Sequence, residues 1–314
     1  MDDIGSTLTL NAARKKMKTE QRQLFKRRFF SNYSMVIGLV IISFLVLLSL
    51  VGPFLVGYSP YEMVVSNRLQ PPSAQHLLGT DNFGRDLLTR VIYGARASLG
   101  VGASIAIITS VVGLIMGLYA SYYKSLDQIL MRISDGLMAI PGILLAIALM
   151  AALGPKVENV IIALSIVFTP QIARIVRSAA LVIREQTYIE AMEAQGASST
   201  RIIWLHIAPN VLSPLIVQAT FIFADAIITE AALSFLGAGI PAPGPSWGNI
   251  LYEGKLVIFN ASWMTIFPGL LIILAVIGLN SMGDGLRDLM DPHYKKVKKK
   301  SARAKRKEVK TSNV

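Results

Sequence analysis

The chain has 314 residues, 53% of them hydrophobic and only 16% charged, with a formal charge of +12 and no cysteine. So few charges at this length, with a mean hydropathy of +0.53, exclude an ordinary soluble domain. The lack of cysteine removes disulfides, thiolate nucleophiles and thiolate metal sites.

The charges fall in blocks between long uncharged runs, the pattern of a chain whose solvent is largely lipid. A helix needs roughly 20 apolar residues to cross about 30 Å of hydrocarbon. A basic tail, 1–34, precedes the first such run, 35–57. Its apolar core exceeds the about 7 to 15 residues of a secretory signal, and VGPFLVGYSP offers no small-x-small cleavage site, so the run reads as a retained anchor.

Residues 58–96 read as an extracytoplasmic segment. They contain GTDNFGRD, where Asp81 can accept from Arg85 at i+4 as a helix-surface pair, with Asp86 alongside. A five-helix core, 97–286, follows, with spans predicted at 97–123, 136–155, 159–173, 212–236 and 256–282. The third of these five is short, and Arg174 and Arg177 are placed to snorkel at its inner end. The sequence GAGIPAPGPSWG is too rich in glycine and proline for a helix and reads as a loop. Trp247 and Trp263 fit interfacial anchors. A second basic tail occupies 287–314. The fold class is therefore all-α, a polytopic membrane protein with six transmembrane helices.

Lysine and arginine set the orientation, because they stay on the cytoplasmic side. With both termini inside, eight lie in the first tail, eleven after the last span and six in inner loops, against six outside. That bias accounts for the net charge without nucleic acid, and the lysine-rich end reads as a solvated tail near anionic lipid.

This topology places 187–210 in the cytoplasm, between two spans. Thr187 with Glu190 fits a capping box opening a short helix, and Gly196 suits its C′ end. A second amphipathic stretch, 200–208, is expected to stop at Pro209. In the next span Asp225 and Glu230 are costly in lipid and so are functional candidates. Five residues apart, they point about 140° away from each other, so only one can face a narrow path.

The segment EAMEAQGASSTRIIWLHIAPN, starting at Glu190, resembles the EAA signature of ATP-binding cassette (ABC) importer permeases. Glu190, Ala191, Gly196 and Pro209 match, and Met192 stands where a second alanine is usual. HLLGTDNFGRDLLTRVIYGARASLGVG from His76, EAALSFLGAGIPAPGPSWGN from Glu230 and GDGLRDLMDP from Gly283 extend the likeness over 33–292. Together they are similar to the C-type permease of the dipeptide, oligopeptide and nickel importers, a type I importer transmembrane domain.

The resemblance implies half of a translocation pathway across the cytoplasmic membrane. Its partners would be a homologous second permease, two ATP-binding subunits that hold ATP and magnesium, and an extracytoplasmic substrate-binding protein. It makes 187–210 the coupling segment, with His206 inside it, and makes Asp81, Arg85 and Asp86 part of an external-face motif. It leaves Asp225 and Glu230 for the pathway or the contact between permeases. Peptides are the leading cargo, with nickel or a metal chelate as the alternative.

The residues agree with a non-enzymatic, cofactor-free subunit. There is no GxxxxGK[ST] loop and no HExxH pair, and His76, His206 and His293 are scattered. A gradient-driven transporter working through Asp225 and Glu230 would be expected to show internal repeats and about twice as many spans. An intramembrane hydrolase using Ser104 or Ser165 would lack a histidine base in the earlier spans. Co-purification of ATPase subunits separates these readings.

Overall fold

Hydrocarbon offers a backbone N–H no partner, so a spanning segment must close its hydrogen bonds within itself. The computed structural model describes residues 29–290, and every regular element among them is helical. Most of both predicted basic tails, with His293, lies outside the described residues.

Helix α1 (Tyr33–Leu55) begins where the Asn32 side chain accepts the Met35 N–H at 3.1 Å. It packs on the last helix, α9 (Trp263–Met290), so closely that a β-carbon on Gly38 would stand 2.5 Å from the Met282 nitrogen.

Helix α2 (Leu87–Tyr122) has 36 residues and at about 1.5 Å each reaches about 54 Å, well beyond the hydrocarbon. It starts ten residues before the predicted span, because Arg90 and Arg96, which interrupt the apolar run, lie within its outer turns. Asp86 caps it, accepting from the Thr89 N–H at 2.8 Å.

The predicted span 136–155 is not one helix. Helix α3 (Lys124–Met138) and helix α4 (Gly142–Leu153) meet at 94°, with Pro141, which cannot donate an amide hydrogen bond, at the break. The 12 residues of α4 cover about 18 Å, less than the hydrocarbon thickness. Helix α5 (Val157–Arg184) continues well past the predicted 173. Its Arg177 pairs with Asp127 of α3, and its Arg174 with Asp135 at 2.6 Å. The two arginines therefore brace α3 instead of snorkelling free.

After the short helix α6 (Thr187–Ala194), the stretch Ser199–Phe235 is helical throughout: a helical turn at Ser199–Arg201, a π-helical stretch at Ile202–Ile207, then α7 (Ala208–Phe235). The expected stop at Pro209 does not occur. Pro209 falls in the first turn of α7, where its missing N–H breaks no ladder, and the wider π turns before it relieve the ring's clash with the preceding carbonyl. The uncharged run after α7 is a loop only to Ser246. Helix α8 (Trp247–Lys255) follows, with Ser246 Oγ accepting the Asn249 N–H at 3.1 Å. Helix α9 therefore starts at Trp263, later than the predicted 256.

Five helices are long and apolar enough to cross a membrane, and the bent α3–α4 pair makes the sixth crossing if counted as one. Leu118, Ile172, Val176, Ile202 and Ile203 form a cluster between α2, α5 and the π stretch, at the inner end, the one that the lysine and arginine distribution assigns to the cytoplasm. Leu45, Leu99, Ile227, Trp247 and Leu279 form an outer one.

Gly117 sits where α2 and α5 touch: a β-carbon there would lie 2.6 Å from the Ala173 carbonyl oxygen, whereas one on Gly100 would meet nothing within 4 Å. Gly117→Leu is expected to lower stability by about 1 to 3 kcal/mol or more, the usual effect of overpacking. Gly100→Leu should be near neutral. Thermal melting of the detergent-solubilised protein checks the difference.

Candidate functional site

Helix α6 is attached to the body at few points. Gln186, not Thr187, is its N-cap and makes no side-chain cap bond. The predicted capping box is therefore absent: Thr187 is already inside the first turn, too far along for its side chain to reach the N3 amide. At the other end Gly196 has φ 80°, the Ala197 N–H donates to the Met192 carbonyl at 3.0 Å and the Gly196 N–H to the Glu193 carbonyl at 3.0 Å. These two bonds make a Schellman end, which requires the left-handed conformation glycine tolerates.

One side chain of α6, Ile189, is buried, and it packs among Val176, Ala180, Ile202, Ile203 and Ile207. Glu190 and Ala191 are exposed on the far side, as are Gly196 and Pro209, while His206 is half-buried. Two further contacts hold the segment. Tyr122, the last residue of α2, donates its hydroxyl to Glu193 Oε1 at 3.0 Å. Arg184 lies over the Tyr122 ring at 5.1 Å and donates to the Ser121 carbonyl at 2.9 Å. Ile189, Tyr122, Glu193 and Arg184 escape the sequence reading. Only Ile189 leaves a signal, a single large aliphatic side chain amid polar and small residues.

The outer end is built differently. Asp81 and Arg85 are not a helix-surface pair but a buried one in a loop, at most 1% exposed, with Arg85 Nε 2.5 Å from Asp81 Oδ2. Glu253 of α8 accepts from Arg85 Nη2 at 2.7 Å and from Arg90 Nη2 at 3.2 Å. Asp81 Oδ2 also lies 3.4 Å from Arg90 Nε. Asp86, besides capping α2, lies 2.9 Å from His76 Nδ1. Neither tryptophan is free to anchor at the lipid interface. Trp247 is wholly buried and donates its indole N–H to the Val91 carbonyl at 3.1 Å, while Trp263 donates to the Thr80 carbonyl at 3.1 Å.

The two intramembrane acids part company. Glu230 is wholly buried and accepts from Ser98 Oγ at 3.1 Å and from Ser234 Oγ at 2.8 Å. Those hydroxyls in turn accept the Trp247 N–H at 3.2 Å and the Ile240 N–H at 3.1 Å, so Glu230 ties the loop 236–246 to α2 and α7. Asp225 is exposed, and its carboxylate takes no hydrogen bond among the described residues. No group of three or more His, Asp or Glu side chains there could hold a metal ion.

The family model of binding-protein-dependent transport system inner membrane components matches residues 109–296, and that of the N-terminal transmembrane domain of oligopeptide transport permease C matches 20–72. The chain belongs to this permease family. It is similar to a dipeptide transport system permease protein of Alkalihalophilus pseudofirmus, at 46% identity over 87% of this chain and 90% of that one. A di/tripeptide transport system permease protein of Pseudomonas aeruginosa is 40% identical over 86% of this chain and 92% of its own length. The permease in a solved structure of the MetNI methionine ABC transporter, captured inward-facing, superposes with TM-score 0.54 at 23% identity, covering 64% of this chain and 97% of that one. The fold is that of a type I importer's transmembrane domain, and the chain is a transport subunit and not an enzyme.

In this permease Arg85 and Arg90 share two acids, Asp81 and Glu253. Glu253→Ala leaves both guanidinium groups with Asp81 alone and is expected to cost about 3 to 5 kcal/mol. Asp135→Ala breaks only an exposed pair and should cost under about 1 kcal/mol. Melting temperatures of the two variants against the parent check this.

Proposed function

We propose that this chain forms half of a translocation path for peptides across the cytoplasmic membrane, paired with a second, homologous permease. Two separate ATPase subunits would bind ATP and magnesium, and an extracytoplasmic binding protein would deliver the cargo. Both termini are assigned to the cytoplasm from the distribution of lysine and arginine. The names of the similar permeases favour peptides over nickel or a chelate.

The observation that carries the coupling role is α6 itself. Its buried Ile189 and half-buried Met192 pack on the body, Glu190 and Ala191 face outward, and Gly196 turns the chain back towards α7. A helix held in this way can seat in a socket on an ATPase subunit and pass displacement to α5 and α7, the two helices it joins. Pro209 and His206 lie where the returning chain enters α7. At the outer face Asp81, Arg85 and Asp86 organise the surface available to a binding protein. Of the intramembrane acids, Asp225 suits the path and Glu230 suits its support.

The test uses two substitutions in the assembled complex. Glu190→Lys reverses a charge on the exposed face. Gly196→Val forces a β-branched residue to φ 80°, where an added β-carbon meets nothing within 4 Å, so its cost is backbone strain of about 1 to 3 kcal/mol. Both variants should insert normally yet lose peptide uptake, with the ATPases dissociating or hydrolysing without response to cargo. Uptake at the parent's rate by both variants would remove the coupling assignment.

A further inference from the structure

Asp225 lies ten residues from the outer end of α7, about 15 Å by helix rise, near half the depth of the hydrocarbon. A carboxylate at that depth does not face lipid without heavy cost. Its neighbour Glu230 meets the constraint by burial and two serine donors; Asp225 does neither.

The packing around α7 shows which way Asp225 points. Ile227 and Phe223 abut Gly102 of α2, Thr220 abuts Gly283 of α9, and Ala226 and Leu233 join the cluster of α4 and α5. At about 100° per residue those contacts span about 140° of the helix circumference. Asn210, Gln218, Asp225 and Thr229 fall together on the opposite side, in a wedge about 100° wide. Asn210 and Asp225 are exposed, and Gln218 and Thr229 half-buried. Pro214, Phe221 and Ile228 share this face, the Phe221 ring reaching Gly283 of α9. The polar groups recur along about 28 Å of helix, a distance comparable to the membrane's hydrocarbon thickness. A polar stripe of that length, with an unpaired carboxylate in it, is suited to water and to passing cargo.

We propose that the translocation path runs along this face of α7 and that Asp225 is the counter-charge met there by positively charged groups of the cargo. This rests on the reading of the chain as a peptide permease. A peptide brings an ammonium at its amino terminus and, often, on side chains. One carboxylate at mid-depth offsets part of the cost of bringing such a group through low-dielectric surroundings. Pro214 and Ile228 beside it give the face apolar surface for side chains of varied kind.

The test measures uptake of lysyl-alanine and glutamyl-alanine by the complete complex in proteoliposomes, with the same binding protein throughout. Asp225→Asn should lower the lysyl-to-glutamyl uptake ratio about tenfold, the size of one charge interaction at a wet site. Asp225→Lys should lower it further, and Asp225→Glu should restore it. Equal loss for both dipeptides, or failure of the Asp225→Asn complex to assemble, would overturn the counter-charge role and mark a structural or inter-permease contact. Wild-type complexes that import neither dipeptide would refute the peptide reading. The path itself is decided separately by a membrane-impermeant methanethiosulfonate on single cysteines, which the cysteine-free sequence permits. Gln218→Cys and Thr229→Cys should label and Ile216→Cys, on the opposite side of α7, should not; the opposite pattern would overturn the path.

Discussion

Two arginine charges are buried at the outer end of α2, and their neutralisation decides how that end of the molecule is built. Arg85 and Arg90 are at most 1% exposed. Their acids come from different places, Asp81 from the segment before α2 and Glu253 from α8. Charges taken out of water cost several kcal/mol each unless well paired, so the four groups hold three stretches of chain in one arrangement. With α8 fixed there, Trp247 enters the outer cluster, and Glu230 with its two serines secures the intervening loop.

The inner end follows the opposite logic. Helix α6 is held by one buried isoleucine, by the half-buried Met192 beside it and by a tyrosine–glutamate hydrogen bond at an exposed position. Few buried contacts mean low local stability and room to move. Helix α2 belongs to both ends: Arg90 and Tyr122 are 32 residues apart, about 48 Å along the axis. On the proposed coupling role, a displacement received at α6 would meet a rod whose far end is clamped and would pass to α5 and α7, the helices that α6 joins.

The order of the spans was legible because hydrocarbon demands long uncharged runs, and the turn at Gly196 because glycine is the residue that takes φ 80° without strain. Other features had no local signal. Arg90 and Arg96 concealed the start of α2, and one acid that pairs with Arg90, Glu253, lies 163 residues away. Thr187 and Glu190 have capping-box spacing, but the helix begins one residue earlier in register. Pro141 was visible, yet composition does not distinguish a kink within a span from a 94° bend. Asp225 and Glu230 looked alike as intramembrane acids, and only the serines of two helices and the loop after α7 separate them.

The coupling role and the path along α7 both require α6 and the loop before α8 to lie on opposite sides of the membrane. Single cysteines at Ser198 and Ala242, both exposed, can be placed in the otherwise cysteine-free chain and treated with an impermeant maleimide on intact cells and on inverted vesicles. The account predicts labelling at Ala242→Cys only from outside cells and at Ser198→Cys only on the inverted vesicles. Labelling of both from the same side, or of Ser198→Cys from outside, would contradict it.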